Sequence, residues 1–371
     1  MKDKKVKIII ALVVVLLIAV IGIYFYMRYK TYDYMEITKT YEDSSTDNVN
    51  YIHCMEGVLR YSRDGVALLN TQRKESWNQP CQMSNPIVEI CDESVAVADK
   101  GGTTILVFEE KGLKGEIHTT RPIEKISVSS QGIVCAILKD EQTPLVMCYD
   151  AKGNVLVGHE VSLSNMGYPI DVAISKDGNT LLVSYLYTDG TQVGTKIAYY
   201  YFGDNNTNKE NYLVHKKEME GTIVPTTAFL KKNISLLVTD HSLIFYKGLE
   251  TLEEFANVEI KNEIKSVAYN DKIVAALIKN GEKDTYTLKI YTSQGKELSS
   301  TEVEKEYASI KAEGKQVVLY DGQMCSIYTS YGVKKYEGKV EENIIELFPI
   351  SGLNKYLMIN ASGFHEVQLE N

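Results

Sequence analysis

The sequence predicts an all-β protein, an eight-bladed β-propeller that follows one N-terminal transmembrane helix, with seven blades as the alternative. Three observations support this prediction. They are an uncharged apolar run near the N-terminus, a repeated pair of strand patterns along the rest of the chain, and a final repeat that stops early. Tyrosine occurs 26 times in 371 residues and proline only 7 times, a composition that favours strands and turns over long helices.

The apolar run extends from Ile8 to Met27, and these 20 residues match the roughly 30 Å hydrocarbon core at about 1.5 Å rise per residue. Four lysines precede it within seven residues, so the positive-inside rule places the N-terminus in the cytoplasm. The run continues through the aromatic residues 24–26 and has no small-residue cleavage site, which indicates an uncleaved signal anchor. We expect a single-pass protein of the cell membrane with a cytoplasmic tail (1–7), a transmembrane signal anchor (8–27), a juxtamembrane linker (28–34) and an extracytoplasmic body (35–371).

The charge of the chain excludes one class of partner. The net charge is −9, and the first thirty residues contain six basic residues against one acidic residue, so the body alone is more acidic than the whole chain. An acidic surface repels a phosphate backbone, and nucleic acid is therefore not an expected partner. The expected contacts are the cytoplasmic membrane, through the N-terminal helix, and molecules of the cell envelope.

The body contains a repeat of about 42 residues, within the range of a four-stranded propeller blade. Each copy starts with a strand, a polar turn and a second, mostly apolar strand, as in PIDVAISKDGNTLLVSYL from Pro169. Several copies continue with an aromatic residue, three turn residues and a glycine, as at Phe108–Gly112 and Tyr149–Gly153. The eight copies start at Tyr51, Pro86, Pro122, Pro169, Pro225, Ile264, Tyr307 and Ile344.

The last copy lacks a fourth strand, because the chain ends after what should be its third. A strand-like segment, MEITKTYE at Met35–Glu42, lies before the first copy and is not part of any repeat. We expect this segment to complete the last blade, which would close the ring and protect an exposed strand edge.

The six cysteines show no metal-binding spacing. Cys54, Cys81, Cys91 and Cys325 are widely scattered, and no CxxC pair occurs. Cys135 and Cys148 flank the polar turn KDEQTP and would face each other in a simple hairpin. The spacing leaves two interpretations open for this pair, a cross-strand disulfide or buried free thiols.

Two segments stand out as candidate binding residues. The fourth repeat is the longest, and its hairpin tip at Tyr187–Gly194 should project from the same face as the link between the first two blades, Trp77–Pro86. Aromatic side chains with polar neighbours suit protein interfaces and sugar stacking. The alternative interpretation is that the aromatic rings fill space between blades. The candidate binding residues are Trp77, Asn78, Gln79, Tyr187, Asp189 and Gln192.

The chain resembles known propeller families at several motifs. GVLRYSRDGVALLNTQRKESWNQP (Gly57–Pro80) resembles the pyrroloquinoline-quinone-type repeat, and SKDGNTLLVSY (Ser175–Tyr185) is similar to WD-type turns. The lysine-rich start, the signal anchor, WNQPCQMSNP (Trp77–Pro86) and the blade at Tyr168–Tyr187 together resemble the Firmicutes domain of unknown function family 5711. That resemblance covers nearly the whole chain and implies no activity. The chain has one tryptophan and no adjacent cysteines, so we expect no quinone cofactor.

No catalytic or metal-binding motif is present in the sequence. The six histidines form no HxH or HExxH pair, and there is no GxSxG elbow, phosphate loop or GxGxxG turn. We therefore expect a non-enzymatic, membrane-anchored propeller that binds or scaffolds an envelope protein, without a metal or cofactor. The alternatives are a receptor for a wall-derived glycan or peptide, and an enzyme acting on carbohydrate or peptide. A channel lined by tyrosines and carboxylates would favour the receptor, and clustered carboxylates with shifted pKa values would favour the enzyme.

Overall fold

The computed structural model describes residues 2–42, 48–140, 144–160, 166–203, 212–281 and 284–371. The chain starts with helix α1 (Lys2–Tyr29), and strand β1 (Tyr34–Glu42) follows it closely. Within the described part of the chain, no helix is long and apolar enough to cross a membrane.

The other strands form a ring of four-stranded antiparallel blades. The first four blades are, in order, β2 (Asn50–Cys54), β3 (Gly57–Tyr61), β4 (Gly65–Leu69) and β5 (Glu75–Pro80); β6 (Pro86–Cys91), β7 (Ser94–Asp99), β8 (Thr104–Glu109) and β9 (Gly112–His118); β10 (Ile123–Val128), β11 (Val134–Leu138), β12 (Leu145–Tyr149) and β13 (Val155–Glu160); and β14 (Tyr168–Ile174), β15 (Thr180–Asp189), β16 (Gln192–Tyr201) and β17 (Leu213–Glu220).

The next three blades are β18 (Thr226–Lys231), β19 (Ile234–Val238), β20 (Ser242–Lys247) and β21 (Glu253–Glu259); β22 (Ile264–Tyr269), β23 (Ile273–Lys279), β24 (Tyr286–Thr292) and β25 (Glu297–Val303); and β26 (Ser309–Glu313), β27 (Gln316–Asp321), β28 (Met324–Thr329) and β29 (Lys334–Lys339). Blade 8 contains β30 (Glu346–Pro349), β31 (Lys355–Asn360), β32 (Gly363–Glu370) and, at its outer edge, β1. The predicted eight blades are confirmed, and the seven-bladed alternative is wrong.

Each blade presents its first strand to the central channel and its last strand to the outside. Neighbouring first strands contact one another, as β10 contacts β14 and β14 contacts β18. One end of the ring, called the upper face here, carries the turns between second and third strands and the connections between blades. The lower face carries the turns between first and second strands and between third and fourth strands.

The core lies between the blades rather than inside one of them. Strands β7, β11, β19 and β23 are buried over nearly their whole length. Side chains of adjacent blades form shared apolar clusters, as Ile105 and Val107 of blade 2 do with Ile126 and Val134 of blade 3. Full burial of one such side chain stabilises the fold by about 1.5–3 kcal/mol, so each blade depends on both of its neighbours.

The repeated aromatic residue and glycine mark the turn between the third and fourth strands. Phe108 and Tyr149 are buried, and the ladder to the fourth strand shifts register beside each of them. Gly112 and Gly153 then adopt positive φ values of 114° and 86°, a region that residues with a Cβ atom rarely enter. The motif therefore builds a bulged turn that anchors a large ring between blades.

Strand β1 supplies the strand that the last repeat lacks. It pairs antiparallel with β32 from Tyr34 opposite Glu370 to Glu42 opposite Gly363. Next to this ladder, Tyr32 is buried, and its backbone N–H donates to the carbonyl oxygen of Lys335 in blade 7 at 2.8 Å. The N-terminal segment thus joins blades 7 and 8.

Cys135 of β11 and Cys148 of β12 lie directly opposite each other and form a disulfide, with their Cα atoms 4.0 Å apart. Of the KDEQTP turn between them, residues 141–143 lie outside the described residues. The other four cysteines are free thiols, and Cys54 and Cys325 are fully buried.

Removal of β1 should destabilise the whole ring. A body that starts at residue 43 leaves the outer edge of β32 unpaired, whereas a body that starts at residue 31 keeps the β1–β32 ladder. We expect the melting temperature of the shorter body to be lower by at least about 5 °C, because one open edge weakens both neighbouring interfaces. Equal melting temperatures for the two bodies, measured by circular dichroism, would show that β1 does not close the ring.

Candidate functional site

Trp77, Asn78 and Gln79 lie in β5, the outermost strand of blade 1, and not in the connection that follows it. The Trp77 ring stacks on Phe108 of blade 2, with 4.8 Å between ring centroids and 3° between ring planes. Its Nε1–H donates to the carbonyl oxygen of Glu110 at 3.1 Å. Trp77 therefore packs between blades 1 and 2, in line with the alternative interpretation that the aromatic rings fill space between blades.

Tyr187, Asp189 and Gln192 lie on the hairpin of β15 and β16 in blade 4. Asp189 and Gln192 face each other at the exposed tip, and the Lys196 ammonium lies 4.5 Å from the centroid of the Tyr187 ring. Blades 2 and 3 separate this hairpin from Trp77. The structure therefore does not bring the two predicted segments together into one site.

The blade-4 hairpin is the longest of the ring. Its two strands have 10 residues each, whereas the corresponding strands of the other blades have 5 to 8. The pairing is continuous to the tip, so the hairpin projects from the upper face as a rigid ribbon. Val193 is 39% exposed near its tip. The connection after β17 carries the exposed Ile223, and the next residue, Val224, donates its N–H to Thr195 Oγ1 at the base of the hairpin.

The central channel contains a second candidate site, formed by the first strands of blades 2 to 6. A cavity of about 160 Å³ lies between them. Its polar lining includes Glu89 of β6, Lys125 of β10, Asp171 of β14, Thr227 of β18 and Tyr269 of β22. Five blades therefore each contribute at least one polar side chain.

Both carboxylate oxygens of Asp171 are engaged at this site. It is buried, and its Oδ1 forms an ion pair with the Lys125 ammonium. Its Oδ2 accepts hydrogen bonds from the backbone N–H of Thr227 and from Thr227 Oγ1, the latter at 2.8 Å. Through these contacts Asp171 links blades 3, 4 and 5 at the channel wall.

Glu89 differs from Asp171, because no hydrogen bond or ion pair joins its carboxylate to another of the described residues. Its side chain is exposed to the channel, and the first strands of the neighbouring blades surround it there. Desolvation by these strands, together with the nearby Asp171 carboxylate, raises the pKa of Glu89 to about 7, while Lys125 opposes the shift.

Tyr269 closes the other side of the same cavity. The tyrosine is 38% exposed because it faces the channel, and no hydrogen bond to its hydroxyl is found within the described ranges. Partial desolvation by the first strands around it raises the pKa of Tyr269, and the charges of Glu89 and Asp171 raise it further. Tyr269 therefore remains a neutral hydroxyl that can donate to an acceptor in the cavity.

On the opposite wall of the channel, ionisable groups are paired. His53 of blade 1 lies 3.2 Å from Glu313 of blade 7. Glu346 of blade 8 accepts from the Lys311 ammonium and from the Tyr320 hydroxyl, both at 3.1 Å. Burial raises the pKa of Glu346, and Lys311 opposes this shift. Within the described residues, no group of three or more His, Cys, Asp or Glu side chains could hold a metal ion.

The channel residues were not among those predicted from the sequence. A usable signal existed in the repeat itself, since Glu89 and Asp171 interrupt the apolar first strands PIVEIC and YPIDVAI. A carboxylate in a strand that lines the channel indicates a polar site there. The distance between these strands along the chain concealed their proximity.

Replacement of Glu89 should change how stability depends on pH. Because the pKa of Glu89 is higher in the folded chain, the folded state binds more protons than the unfolded state between about pH 4.5 and pH 7. The free energy of unfolding therefore falls as pH rises through this range. Glu89→Gln should remove that loss of unfolding free energy. The melting temperature of the variant minus that of the wild type should therefore be larger at pH 8 than at pH 5.

The matched control for this experiment is Glu93→Gln, at an exposed turn of the same blade. Thermal unfolding of the full-length chain in lipid nanodiscs at both pH values provides the measurement. A constant difference between Glu89→Gln and wild type across this range would contradict the assigned environment of Glu89.

Comparisons with known proteins establish the fold and the family of the chain. BamB from Moraxella catarrhalis has 12% sequence identity and a TM-score of 0.54, over 90% of this chain and 99% of that one. The computationally designed Ika8 protein has 15% identity and a TM-score of 0.55, over 92% of this chain and 99% of that one. At such identities the likeness shows the propeller fold alone. No curated protein matches this sequence. A family described as "Family of unknown function (DUF5711)" matches residues 28–369, and the chain belongs to that family.

Proposed function

We propose that this protein is a membrane-anchored, extracytoplasmic β-propeller that binds or scaffolds an envelope protein through its upper face. The observation that carries this proposal is the projecting blade-4 hairpin. It combines a rigid, fully paired stem with an exposed tip, the usual arrangement of a binding loop on a stable scaffold. Val193 and Ile223 add exposed apolar surface beside the polar tip residues Asp189 and Gln192.

The membrane tether is proposed from the N-terminal sequence. The uncharged run Ile8–Met27 follows four lysines and lies within helix α1. The described side chains of residues 12–23 are almost all large and apolar, and they are exposed outside the propeller, where a lipid environment would cover them. This arrangement supports a cell-membrane protein with a cytoplasmic N-terminus and an extracytoplasmic ring.

Binding rather than catalysis is proposed because most channel carboxylates are already engaged. Asp171, Glu313 and Glu346 each have a cationic or potentially cationic partner, and Glu124 accepts from the Tyr168 hydroxyl at 2.6 Å. Glycoside hydrolysis requires two carboxyl groups on either side of the substrate bond. Among these described channel carboxylates, Glu89 could act as one of the two carboxyl groups, but the second would be missing.

A second candidate function is that of a receptor for a wall-derived glycan or peptide. A cavity of about 480 Å³ lies at the upper end of the channel, within the usual size range of a small-ligand site. Tyr61, Lys100 and Glu124 line it, so it offers an aromatic ring and charges of both signs.

A photo-reactive phenylalanine analogue at Val193 should capture one envelope protein in native membranes. The control is the same analogue at Val155, which is 56% exposed on the outer strand of blade 3. We expect a single adduct at position 193, none at 155, and retention of both variants in membranes washed at alkaline pH. Equal labelling at both positions would contradict docking at the hairpin, and loss of the chain from washed membranes would contradict the tether.

A further inference from the structure

Two cavities of different size lie along the channel and share part of their lining. The outer cavity of about 480 Å³ is lined by residues at the upper ends of the first strands, such as Pro86 and Ile170. The inner cavity of about 160 Å³ is smaller than a typical small-molecule site of roughly 300–1,000 Å³. Glu89, Lys125 and Ile126 line both cavities, so they stand where the two meet. The outer cavity can hold the body of a ligand, and the inner one a single functional group.

The outer cavity lies nearer the upper face, whereas the inner cavity is lined by the lower ends of first strands. At the lower face, the Lys176 ammonium in the first turn of blade 4 donates to Asp92 Oδ1 of blade 2 at 2.7 Å. The carbonyl oxygen of Lys176 accepts from the N–H and hydroxyl of Ser130 in blade 3. These contacts connect three consecutive turns around the lower rim. We therefore expect a ligand to enter through the outer cavity, which makes the inner cavity the deep end of the site.

The charges that line the inner cavity favour a cationic group beside Glu89, because the Lys176 ammonium at the lower end is already paired with Asp92. Lys125 is neutralised by Asp171, and both oxygens of Asp171 are occupied. The remaining charged group at the junction is the Glu89 carboxylate, for which the described residues provide no donor. The Tyr269 hydroxyl lies on the same cavity and can accept a hydrogen bond from a cation while its own proton points elsewhere.

We propose that the channel binds an organic ammonium group, which enters from the upper face and pairs with the Glu89 carboxylate while the rest of the ligand occupies the outer cavity. This inference deepens the second candidate function and rests on it. An alkylammonium suits the narrow inner cavity because its charge sits at the end of a slender chain. The group can come from a free amine or from a lysine-like side chain of a peptide, and the experiment separates these sources.

Binding should depend on pH because the pKa of Glu89 lies near 7. The groups that face Glu89 are Lys125, Asp171 and Tyr269 from neighbouring strands, with Cys91 and Lys176 towards the lower rim. Burial raises the pKa of both Tyr269 and Cys91, so neither competes with Glu89 for a proton near neutral pH. An alkylamine, with a pKa near that of lysine at about 10.4, stays charged throughout.

The test is an NMR or calorimetric titration of the full-length protein in nanodiscs with n-butylamine, n-butanol and the peptide Ala-Lys-Ala. We expect n-butylamine to bind and the neutral, equally shaped alcohol not to bind. The affinity for n-butylamine should rise roughly tenfold from pH 6 to pH 8 as Glu89 ionises. Tighter binding of Ala-Lys-Ala than of n-butylamine identifies a peptide as the source, and equal binding identifies a free amine.

Glu89→Gln should weaken n-butylamine binding at least tenfold and abolish its pH dependence. The matched control is Glu93→Gln, which removes the same charge from an exposed turn of the same blade, outside the lining of both cavities. Thermal unfolding verifies that both variants are folded. Equal losses in the two variants, or equal binding of amine and alcohol, would overturn the ammonium site.

The proposed receptor function can fail separately. Binding of an amine-free wall glycan to both wild type and Glu89→Gln would support the receptor and contradict the ammonium site. Binding of n-butylamine without any affinity for wall fragments would support the ammonium site and contradict the proposal that the ligand is derived from the wall.

Discussion

The antiparallel ladder between β1 and β32 is the contact on which the rest of the structure depends. It joins residues 34–42 to residues 363–370, and thus connects the start of the ring to its end. Every other blade is built from strands that are consecutive in the chain, and only blade 8 needs a strand from a distant part of it. Because apolar clusters are shared between neighbouring blades, an open ring would weaken two interfaces at once.

Closure also determines the geometry of the channel. Glu89, Asp171 and Tyr269 belong to blades 2, 4 and 6, and their shared cavity exists because the ring holds those first strands at fixed positions. The Asp171 contacts to Lys125 and Thr227 stabilise three of these strands and leave Glu89 without a partner. The same ring fixes the blade-4 hairpin on the upper face, so the two candidate binding elements open in one direction.

Much of the fold follows from local patterns in the sequence. Alternating apolar residues predict the strands, and the glycines after Phe108 and Tyr149 mark turns that need positive φ. The early end of the last repeat identifies Met35–Glu42 as the missing strand. The site was harder to predict, because a side chain's neighbours across a channel come from blades that are far apart in sequence. Trp77 illustrates the limit, since an aromatic residue near a connection packs between blades as readily as it binds a partner.

The cause of Glu89's altered pKa could not be derived from the sequence for the same reason. The strand PIVEIC shows that a carboxylate interrupts an apolar pattern, but the desolvation comes from strands of other blades. Likewise, the length of the fourth repeat predicts a long hairpin, whereas its rigidity comes from the unbroken pairing of β15 with β16. Membership of a family without assigned function leaves these physical features as the basis for the proposed binding role.

Native-state hydrogen exchange of the β1 amides, measured by mass spectrometry, tests the central role of ring closure most directly. If β1 and β32 hold the ring together, the β1 amides that donate to β32 should exchange only with the same opening free energy as those of the buried strand β7. Exchange of β1 at least about 100-fold faster than β7, while the ring stays folded, would show that the closing strand frays independently and does not stabilise the propeller.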